Sequence, residues 1–460
     1  MSKEKLQILM VAINSSWSQS NLALYYLREM IRDLHYEVHL LTWTLKDQPL
    51  DILHALYAQN PDVICFSAYI WNRIFLQQLV PDLKKMLPQS KIVVGGPEAS
   101  NFGNAFGETD FVISGAGEAA FRALAESGFS RKELEADVPK HLPLKQIPFP
   151  YRAEDKSTLQ GKLVYYECYR GCPYHCAYCL SASDDRNELR FDPDKPNEVQ
   201  KLYAELDAIK QLEPKTIKFV DRSFNIHSKL ARLIWSYFIE TDCPCEAHFE
   251  IYPDLLTEAD IALLEKAPEC RIRFEIGVQT TNSAVSEICG RSSNWEKAKA
   301  VLNELKSRTK VRIHADLIAG LPSEDFASVL RSVNELCATH PDAVQLGTLK
   351  ILPGTPMVEI ARLRAYLWQD SPPYQCLASD AISFEQMCTL ERMARVLNLY
   401  WNKEEFATEW QVMLQNHLAT EIIFAILDVH SRLGYELHSL AKSKRAAVMA
   451  EIYDRFCVRL

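Results

Sequence analysis

The first 125 residues alternate short apolar runs with stretches in which apolar residues recur at helical spacing. The runs have the length of strands and lack polar alternation: Gln7–Ile13, Val38–Trp43, Asp62–Tyr69, Lys91–Gly96 and Phe111–Gly115. The segment after the first run places four apolar side chains on one helical stripe, namely Leu24, Leu27, Ile31 and Leu34. Apolar strands separated by helices predict a parallel sheet that is covered on both faces. We therefore predict a Rossmann- or flavodoxin-like, doubly wound α/β domain over residues 1–125.

A second alternation follows a charged, Pro-containing connector at residues 126–160. Its predicted strands are Leu163–Glu167, Thr216–Asp221, Glu246–Ile251, Arg271–Val278, Val311–Ile318 and Val344–Lys350. Predicted helices between them include Glu198–Gln211, Ser228–Glu240 and Phe326–Ala338. Six β/α units predict a partial (β/α)6 barrel of the TIM type over residues 161–370. Helical periodicity then predicts an all-α extension over residues 375–460.

The composition fits a globular protein of several domains. The chain has 460 residues, of which 48% are hydrophobic and 24% charged. No apolar run approaches the roughly 20 residues of a membrane helix, and the start does not resemble a signal peptide. Thirteen unevenly spaced cysteines are not a secreted disulfide framework, and a net charge of −9 argues against a nucleic-acid partner. We expect a cytoplasmic protein without a membrane partner.

Small and polar residues follow several strands of the first predicted sheet. They are Ser67, Gly95, Gly96, Glu98, Gly115, Gly117 and Glu118, together with the serine-rich stretch 14–20. Doubly wound sheets bind ligands at the carboxyl ends of their strands, and adjacent glycines let a backbone approach a flat ligand closely. No G-x-G-x-x-G follows the first strand, so a dinucleotide site is not predicted. A cofactor-binding edge is one interpretation of the pattern, and tight strand-to-helix turns are the other.

Three cysteines stand directly after the first strand of the second alternation. Cys172, Cys176 and Cys179 have the spacing C-x3-C-x2-C, and thiolates are soft ligands suited to iron–sulfur clusters or zinc. A [4Fe–4S] cluster held by three cysteines keeps one iron open, and an open position is typical of catalytic metal sites. The alternative is a structural zinc site with Cys168 or His175 as fourth ligand. The spacing favours the cluster, because zinc sites recur as C-x2-C pairs.

Further polar groups follow other strands of the predicted barrel and should meet the cysteine loop at the same mouth. Among them are Asp221, Glu250, Gln279 and Gly320. His227, His248 and His314 are candidates either for proton transfer near this mouth or for packing within strands. Cys243 and Cys245 begin a predicted strand at the opposite end, and we interpret them as structural cysteines.

Taken together, these motifs resemble those of radical S-adenosylmethionine (SAM) enzymes that have an N-terminal cobalamin (B12)-binding domain and a helical C-terminal domain of unknown function. The matching segments of the core are the cysteine motif with Tyr178 before its last cysteine, Phe274–Gln279, the Gly320-Leu-Pro turn and Leu352–Pro356. In the first domain, Val94–Glu98 and Ser114–Glu118 are similar to the corrinoid-side turns of the family. The likeness covers roughly residues 5–360.

The resemblance implies a [4Fe–4S] cluster on Cys172, Cys176 and Cys179, whose open iron binds the amino and carboxylate groups of SAM. One electron then breaks the sulfonium bond and gives methionine and a 5′-deoxyadenosyl radical. The residues implied around SAM are Tyr178, Asp221, Glu250, Gln279 and Gly320. Among these, the Tyr178 backbone would meet the adenine and Glu250 the ribose. Asp221 departs from the family pattern, because a Gly-Gly-Glu turn usually stands there.

Cobalamin is the second cofactor that the resemblance implies. Its implied contacts are Ser67, Gly95, Gly96, Glu98, Gly115, Gly117 and Glu118. Many cobalamin domains carry a histidine after the first strand that coordinates cobalt from below, but residues 14–20 contain none. His35 precedes the second strand, at the opposite edge of the sheet. Cobalamin would therefore bind without a protein histidine; the alternative is a domain that no longer binds it.

The favoured function is cobalamin-dependent methyl transfer, or related radical chemistry, on an unknown substrate, with flavodoxin or ferredoxin as reducing partner. No residue is assigned a catalytic role. One alternative is a methylthiotransferase-like enzyme, although only Cys65 precedes residue 168 as a ligand for a further cluster. The other is a non-catalytic iron–sulfur or corrinoid-binding redox sensor or carrier.

Overall fold

The computed structural model describes residues 5–130, 138–184 and 186–458. Residues 131–137, which belong to the predicted connector, lie outside the described residues. The chain divides into two compact units. Unit 1 comprises Met1–Arg170 with Glu188–Lys218, and unit 2 comprises Gly171–Asn187 with Phe219–Leu460.

Unit 1 is built on a five-stranded parallel sheet. Its strands are β1 Leu6–Asn14, β2 Tyr36–Thr44, β3 Val63–Ser67, β4 Lys91–Gly95 and β5 Phe111–Ile113. Their order is β2-β1-β3-β4-β5, and all pairings are parallel. This is the order of a flavodoxin-like sheet, so the predicted fold of the first domain is confirmed.

Helices cover both faces of this sheet. The helices of unit 1 are α1 Leu22–Met30, α2 Pro49–Gln59, α3 Arg73–Met86, α4 Pro97–Phe102, α5 Gly117–Glu126, α6 Lys156–Leu159 and α7 Pro196–Gln211. Ile8 and Met10 of β1 pack into a core with α1 and α5, whereas Leu9 and Val11 pack into a second core with α2 and α3. Because successive residues enter opposite cores, the strand has no face for water, which explains the missing polar alternation.

Four further strands of unit 1 surround the cysteine loop in the sequence. They are β6 Leu163–Tyr166, β7 Tyr169–Arg170, β8 Glu188–Leu189 and β9 Thr216–Phe219, the last of which belongs to unit 1 up to residue 218. β6 and β9 are neighbours, and β7 pairs antiparallel with β8. The buried Arg190 contacts Glu205 of α7 at 3.0 Å, and the same carboxylate accepts a 2.6 Å hydrogen bond from the hydroxyl of Tyr166. These contacts fix α7 to the strand that leads into the cysteine loop.

Unit 2 contains four parallel strands in the order β13-β12-β11-β10. They are β10 Glu246–Ile251, β11 Ile272–Gln279, β12 Arg312–Ala319 and β13 Ala343–Thr348, and a small antiparallel pair consists of β14 Leu367–Trp368 and β15 Cys376–Ala378. The helices are α8 Ser228–Glu240, α9 Glu258–Leu264, α10 Ser283–Ile288, α11 Trp295–Arg308, α12 Phe326–Cys337 and α13 Met357–Leu363. Cys243 and Cys245 precede β10 and do not begin it, which corrects the prediction.

The C-terminal region is helical, as predicted. Its helices are α14 Phe384–Val396, α15 Ala407–Met413, α16 Ala419–Leu433 and α17 Lys442–Tyr453, with π-helical turns at Leu397–Trp401 and Asp454–Val458. The Asn402 side chain pairs with both backbone groups of Val344 at 2.8 and 3.0 Å, which attaches the region to β13. Among the described residues, no helix combines the length and apolarity needed to cross a membrane.

Candidate active site

The cysteine loop is held by backbone hydrogen bonds to the helices of unit 2. The N–H of Cys179 donates to the carbonyl of Cys176 at 2.9 Å, and the N–H of Ala177 donates to the carbonyl of Cys289 at 2.9 Å. The carbonyl of Ala177 in turn accepts from the N–H of Met357, the first residue of α13, at 2.9 Å. The loop is therefore fixed at its centre, between the second and third cysteines.

Gly171 sets the direction in which the chain enters this loop. Its φ is 109°, in the region that favours glycine, and a Cβ built at this position would overlap the backbone carbonyl of Arg186. Because a backbone atom cannot move aside as a flexible side chain can, any larger residue would displace the start or the end of the loop. The glycine before Cys172 is thus required by a close approach of two backbone segments.

Two of the three cysteines are buried beside polar partners. Cys172 lies 3.7 Å from the hydroxyl of Ser223, and Cys176 lies 3.9 Å from Nη1 of Arg291 (sulfur to heteroatom). Cys179 is partly exposed. A hydroxyl group and a cation therefore stand close to two of the three candidate ligand sulfurs.

The donor set therefore suits an iron–sulfur cluster, and the loop provides three thiols and a neighbouring positive charge. Within the described residues, however, no group of three or more His, Cys, Asp or Glu side chains is already arranged around one metal ion. The assignment of Cys172, Cys176 and Cys179 as cluster ligands remains a prediction.

Arg291 is partly buried and charged. It donates from Nη2 to the carbonyl of Gly277 and lies 4.9 Å above the ring of Tyr252. Although burial opposes it, the neighbouring Tyr178, Tyr252 and Cys176 groups raise the pKa of Arg291. Its Nε has no hydrogen-bond partner among the described residues. A cation with a donor left over can bind a carboxylate.

A small cleft opens beside Arg291. Tyr252 lines it and stacks on Tyr174 of the cysteine loop, with ring centroids 4.4 Å apart. Asn225 fixes Tyr252 by two hydrogen bonds to its backbone, at 2.8 and 2.9 Å. The cleft therefore lies directly after the carboxyl end of β10, and Tyr252 connects its wall to the cysteine loop.

The predicted SAM-side residues all lie in unit 2, but they differ in what they contact. Asp221 is buried, and Glu250 lies 3.7 Å from Arg222. Burial raises the pKa of Tyr178, against the effect of Arg291. Gly320 has a φ of 94° and accepts a 3.2 Å hydrogen bond from the Tyr366 hydroxyl, so local packing already accounts for this glycine. Their roles toward SAM remain predictions.

Gln279 has an unusual backbone conformation for a residue with a side chain. Its φ is 68°, it follows a register shift in the pairing of β11 with β12, and its Oε1 is buried without a hydrogen-bond partner among the described residues. Such strain persists where the surrounding structure enforces it, commonly at functional sites. Gln279 is therefore the predicted residue whose geometry most favours a ligand contact.

One face of β10–β12 is polar along its length. The strand register forms three rows across the sheet: His248–Arg273–Arg312, Glu250–Glu275–His314 and Gly277–Asp316–Gln345. On the opposite face, Phe249 and Phe274 pack against Trp235 of α8. Polar residues on one face and apolar residues under helices on the other predict that the polar face borders a cavity.

Two histidine–carboxylate pairs lie on this polar face. Nε2 of His248 is 3.0 Å from Oε2 of Glu275, and Nε2 of His314 is 3.4 Å from Oδ1 of Asp316. The arginines of the first row are instead near Glu246, with Arg273 at 3.8 Å. His248 and His314 therefore each lie near a carboxylate, although the contact of His248 with Glu275 does not have hydrogen-bond geometry. His227 has a different environment, with Asn187 at 3.2 Å from its Nε2.

Glu324 is a buried carboxyl group on the loop after β12. It accepts hydrogen bonds from Thr280 at 2.6 Å and Ser328 at 3.2 Å, and its Oε2 has no partner among the described residues. Burial raises the pKa of Glu324 to about 7, against the effect of these two hydroxyl groups. The protonated form therefore persists in the folded protein at pH values where an exposed glutamate is ionised.

We expect Glu324→Gln to become progressively more stable than the wild type as pH rises. The folded protein retains a proton that the unfolded chain releases, so wild-type stability falls between about pH 4.5 and pH 7. The change is at most about 3.5 kcal/mol, because the pKa lies roughly 2.5 units above its ordinary value and one unit corresponds to about 1.4 kcal/mol. The thermal midpoints of both proteins across this range test the prediction. Glu287→Gln, at an exposed position of α10, is the control, and a difference that does not vary with pH would contradict the prediction.

Some of the residues predicted to bind a cofactor at the edge of the unit 1 sheet instead contact other protein side chains. Glu98 and Glu118 are buried in ion pairs, with Arg73 at 3.3 Å and Arg170 at 2.9 Å respectively. Ser67 accepts a 2.6 Å hydrogen bond from the Asn21 side chain. These three side chains have protein partners, which sequence reasoning did not foresee.

The glycines of this edge differ in their surroundings. A Cβ at Gly96 would stand 2.6 Å from the carbonyl of Ala68, so close backbone packing requires glycine there. Gly115 has a φ of 73° with no atom within 4 Å of such a Cβ, whereas Gly95 and Gly117 would make ordinary contacts. Gly115 is thus the position at which a ligand could approach the backbone most closely.

Two aromatic rings that follow β3 were not among the site residues predicted from the sequence. Tyr69 and Trp71 are stacked with centroids 4.4 Å apart and planes 5° from parallel. The Trp71 indole is 40% exposed, and its N–H donates to the carbonyl of Ile13 at 3.2 Å. A fixed, flat and partly exposed aromatic surface suits a flat ligand.

Comparison with known proteins identifies two domain types in the chain. Residues 8–125 match the family model of the B12 binding domain, and residues 166–336 match that of the Radical SAM superfamily. The chain combines a B12-binding domain with a radical SAM domain. A third match, over residues 365–427, is to a protein family of unknown function, DUF4080. The predicted family resemblance is confirmed.

Two curated relatives are methyltransferases. The chain is 24% identical over 342 residues to the cobalamin-dependent radical SAM methyltransferase TokK of Streptomyces tokunonensis, a match that covers 67% of this chain and 49% of the relative. It is also 24% identical over 350 residues to the 2-(S-pantetheinyl)-carbapenam-3-carboxylate methyltransferase of Streptantibioticus cattleyicolor, with the same coverage. The chain therefore spans about half the length of these relatives.

Solved structures support the fold of both domain types. The radical SAM methyltransferase TsrM of Kitasatospora setae, with cobalamin and a [4Fe–4S] cluster bound, aligns over 81% of this chain and 82% of its own with a TM-score of 0.65 and 17% identity. The cobalamin-dependent SAM radical enzyme OxsB, with aqua-cobalamin and SAM bound, aligns over 98% of this chain and 75% of its own with a TM-score of 0.68 and 14% identity. The fold prediction is confirmed, and the two domain types agree with the predicted cofactors.

Proposed function

We propose that the protein is a cobalamin-dependent radical SAM methyltransferase. The observation that carries the proposal is the fixed C-x3-C-x2-C loop within a radical SAM domain, with Arg291 beside Cys176. The B12-binding domain that precedes it supports methyl transfer over other radical SAM reactions, and so do the names of the two curated relatives. The methylthiotransferase and redox-carrier alternatives have no comparable support.

In this proposal, Cys172, Cys176 and Cys179 hold a [4Fe–4S] cluster, which supplies the electron that cleaves SAM. Arg291 offsets the charge of the Cys176 thiolate, and its remaining donor is suited to the carboxylate of SAM. Tyr252, Gly277 and Val278 line the cleft beside Arg291 and offer space for the rest of SAM, and the strained Gln279 follows them directly in the chain. Radical SAM enzymes need a reductant; we propose a flavodoxin or ferredoxin of the cytoplasm.

We infer that the substrate lies against the polar face of β10–β12. Gly277 carries no side chain in the third row, and a glycine inside a strand commonly marks the close approach of a ligand. The His248–Glu275 and His314–Asp316 pairs offer both hydrogen-bond acceptors and groups that can exchange a proton. A polar substrate fits this face better than a hydrocarbon.

The test is to make the protein with cobalamin supplied, purify it without oxygen, and count corrinoid and iron per chain. We expect both to be present and SAM to be cleaved under a strong reductant. Iron with SAM cleavage but without corrinoid would remove the methyltransferase proposal and leave a radical SAM enzyme. Zinc in place of iron would contradict both.

We expect Trp71→Ala to lower the amount of corrinoid that copurifies with the protein while iron per chain is unchanged. The fixed ring pair presents flat apolar area where the first domain should receive the corrin, and truncating a large aromatic side chain at a binding site commonly costs roughly 2 kcal/mol or more. The measurement is the corrinoid absorbance per chain after desalting. Tyr57→Ala, which removes an exposed aromatic ring from α2, should retain wild-type corrinoid. Equal losses in the two variants would exclude a specific contact.

A further inference from the structure

Cys243 and Cys245 form a sulfur pair outside the site described above. Their Sγ atoms are 2.8 Å apart, and both side chains are buried. A disulfide bond requires about 2.05 Å between sulfurs, so a small movement would bring the pair to bonding distance. Within the described residues no third metal-binding side chain completes a metal site here, so thiol chemistry is the chemistry open to this pair.

The local backbone keeps the two sulfurs together. Pro244 between them fixes its own φ and so narrows the conformations open to the turn. The N–H of Cys243 donates to the carbonyl of Thr241 at 3.0 Å, and the Arg271 guanidinium donates to the carbonyls of Phe238 and Thr241 at 2.9 and 2.8 Å. The turn between α8 and β10 is thus fastened on the side that precedes the pair.

The electrostatic surroundings make the pair slow to react. The hydrogen bond with Cys243, followed by burial, raises the pKa of the Cys245 thiol, while the Arg271 charge acts in the opposite direction. Burial keeps large reagents away from such a thiol and slows its oxidation, so only a small oxidant could reach it, and the neighbouring sulfur would then intercept the product.

We propose that Cys243 and Cys245 are a redox-active dithiol that peroxide converts to an intramolecular disulfide. One thiolate attacks hydrogen peroxide to give a sulfenic acid and one water; the second thiol then displaces the hydroxyl as a second water and forms the S–S bond. Two thiols lose two electrons and two protons, and the peroxide is reduced to water. The ring closed across a single proline is small, so the disulfide is strained and a dithiol reductant reopens it.

The modification would act on the strand that carries part of the polar face. β10 begins at Glu246, directly after Cys245, and bears His248 and Glu250. A disulfide fixes the turn from which the strand starts. The pair is therefore placed to convert an oxidising signal into a local change of stiffness at the start of β10.

The sequence provides an unambiguous assay. Trypsin releases the peptide 233–266, in which Cys243 and Cys245 are the only cysteines, whereas the ligand cysteines lie on the peptide 171–186. Native protein is treated with hydrogen peroxide, denatured, alkylated and digested. We expect the peptide 233–266 to lack two hydrogen atoms and to carry no alkyl group, and dithiothreitol before alkylation should restore two alkylation sites.

The control is the peptide 332–350, whose single cysteine, Cys337, is as buried as the pair but has no neighbouring sulfur among the described residues. It should remain fully alkylatable under the same treatment. In Cys243→Ser, the peptide 233–266 should retain one alkylation site or gain oxygen, without losing two hydrogens. If the wild-type peptide remains doubly alkylated when the cysteine-containing peptide 171–186 is already oxidised, the pair is a packed pair of thiols and the proposal is wrong.

Discussion

We expect Cys176→Ala to abolish reductive cleavage of SAM. Cys176 is buried at the centre of the loop, with the Arg291 guanidinium 3.9 Å from its sulfur, and the neighbouring backbone is tied to Cys289. Removing this thiolate leaves two cysteines for a cluster that needs three, because metal ligands in a preformed site are not interchangeable with water. Iron per chain and 5′-deoxyadenosine formation, both measured after anaerobic reconstitution, should fall to background.

Cys289→Ala is the matched control for this variant. Cys289 is equally buried and touches the same loop, but it does so through its carbonyl group, which alanine retains. Burial raises the pKa of its thiol to about 12, so the residue behaves as a small apolar side chain. We expect iron content and SAM cleavage to be preserved. The reverse result, with iron kept in Cys176→Ala and lost in Cys289→Ala, would show that the ligands are not those of the predicted motif.

Hydrophobic periodicity predicted the strands well because it reports burial. All predicted strands of both alternations are present, most with bounds shifted by a few residues. The same signal overextended α1, which ends at Met30, because Leu34 packs against the core of unit 1 from the turn that follows. Strands β7 and β8 are two residues long, too short for any period to appear.

Pairing between distant residues is what the sequence could not reveal. Arg291 lies 115 positions from Cys176 along the chain, and no local motif indicates that the two side chains are in contact. For the same reason, Glu98 and Glu118 were expected to face a cofactor, whereas each has an arginine partner in the structure. The local sequence around a carboxylate at a strand end is the same whether the carboxylate binds a ligand or forms an ion pair with an arginine.

We expect Gly171→Ala to lose the iron that copurifies with the protein and, with it, SAM cleavage. The added Cβ would collide with the Arg186 carbonyl, and both atoms belong to backbone that cannot rotate away. Relief requires the entry of the loop to move, and Cys172 is the next residue. Metal sites are sensitive to such shifts, because ligand distances are fixed to within about 0.2 Å.

Gly161→Ala is the control that distinguishes the steric overlap expected in Gly171→Ala from the ordinary conformational cost of alanine at a positive φ. Gly161 has a φ of 70°, and no atom lies within 4 Å of the Cβ that alanine would add. The variant therefore bears a backbone cost of roughly 1 kcal/mol without steric overlap, so a modest loss of stability with normal iron content is expected. Gly171→Ala should differ from it in iron per chain far more than in thermal midpoint. Equal iron in the two variants would mean that the loop tolerates the collision, and that Gly171 does not determine where Cys172 lies.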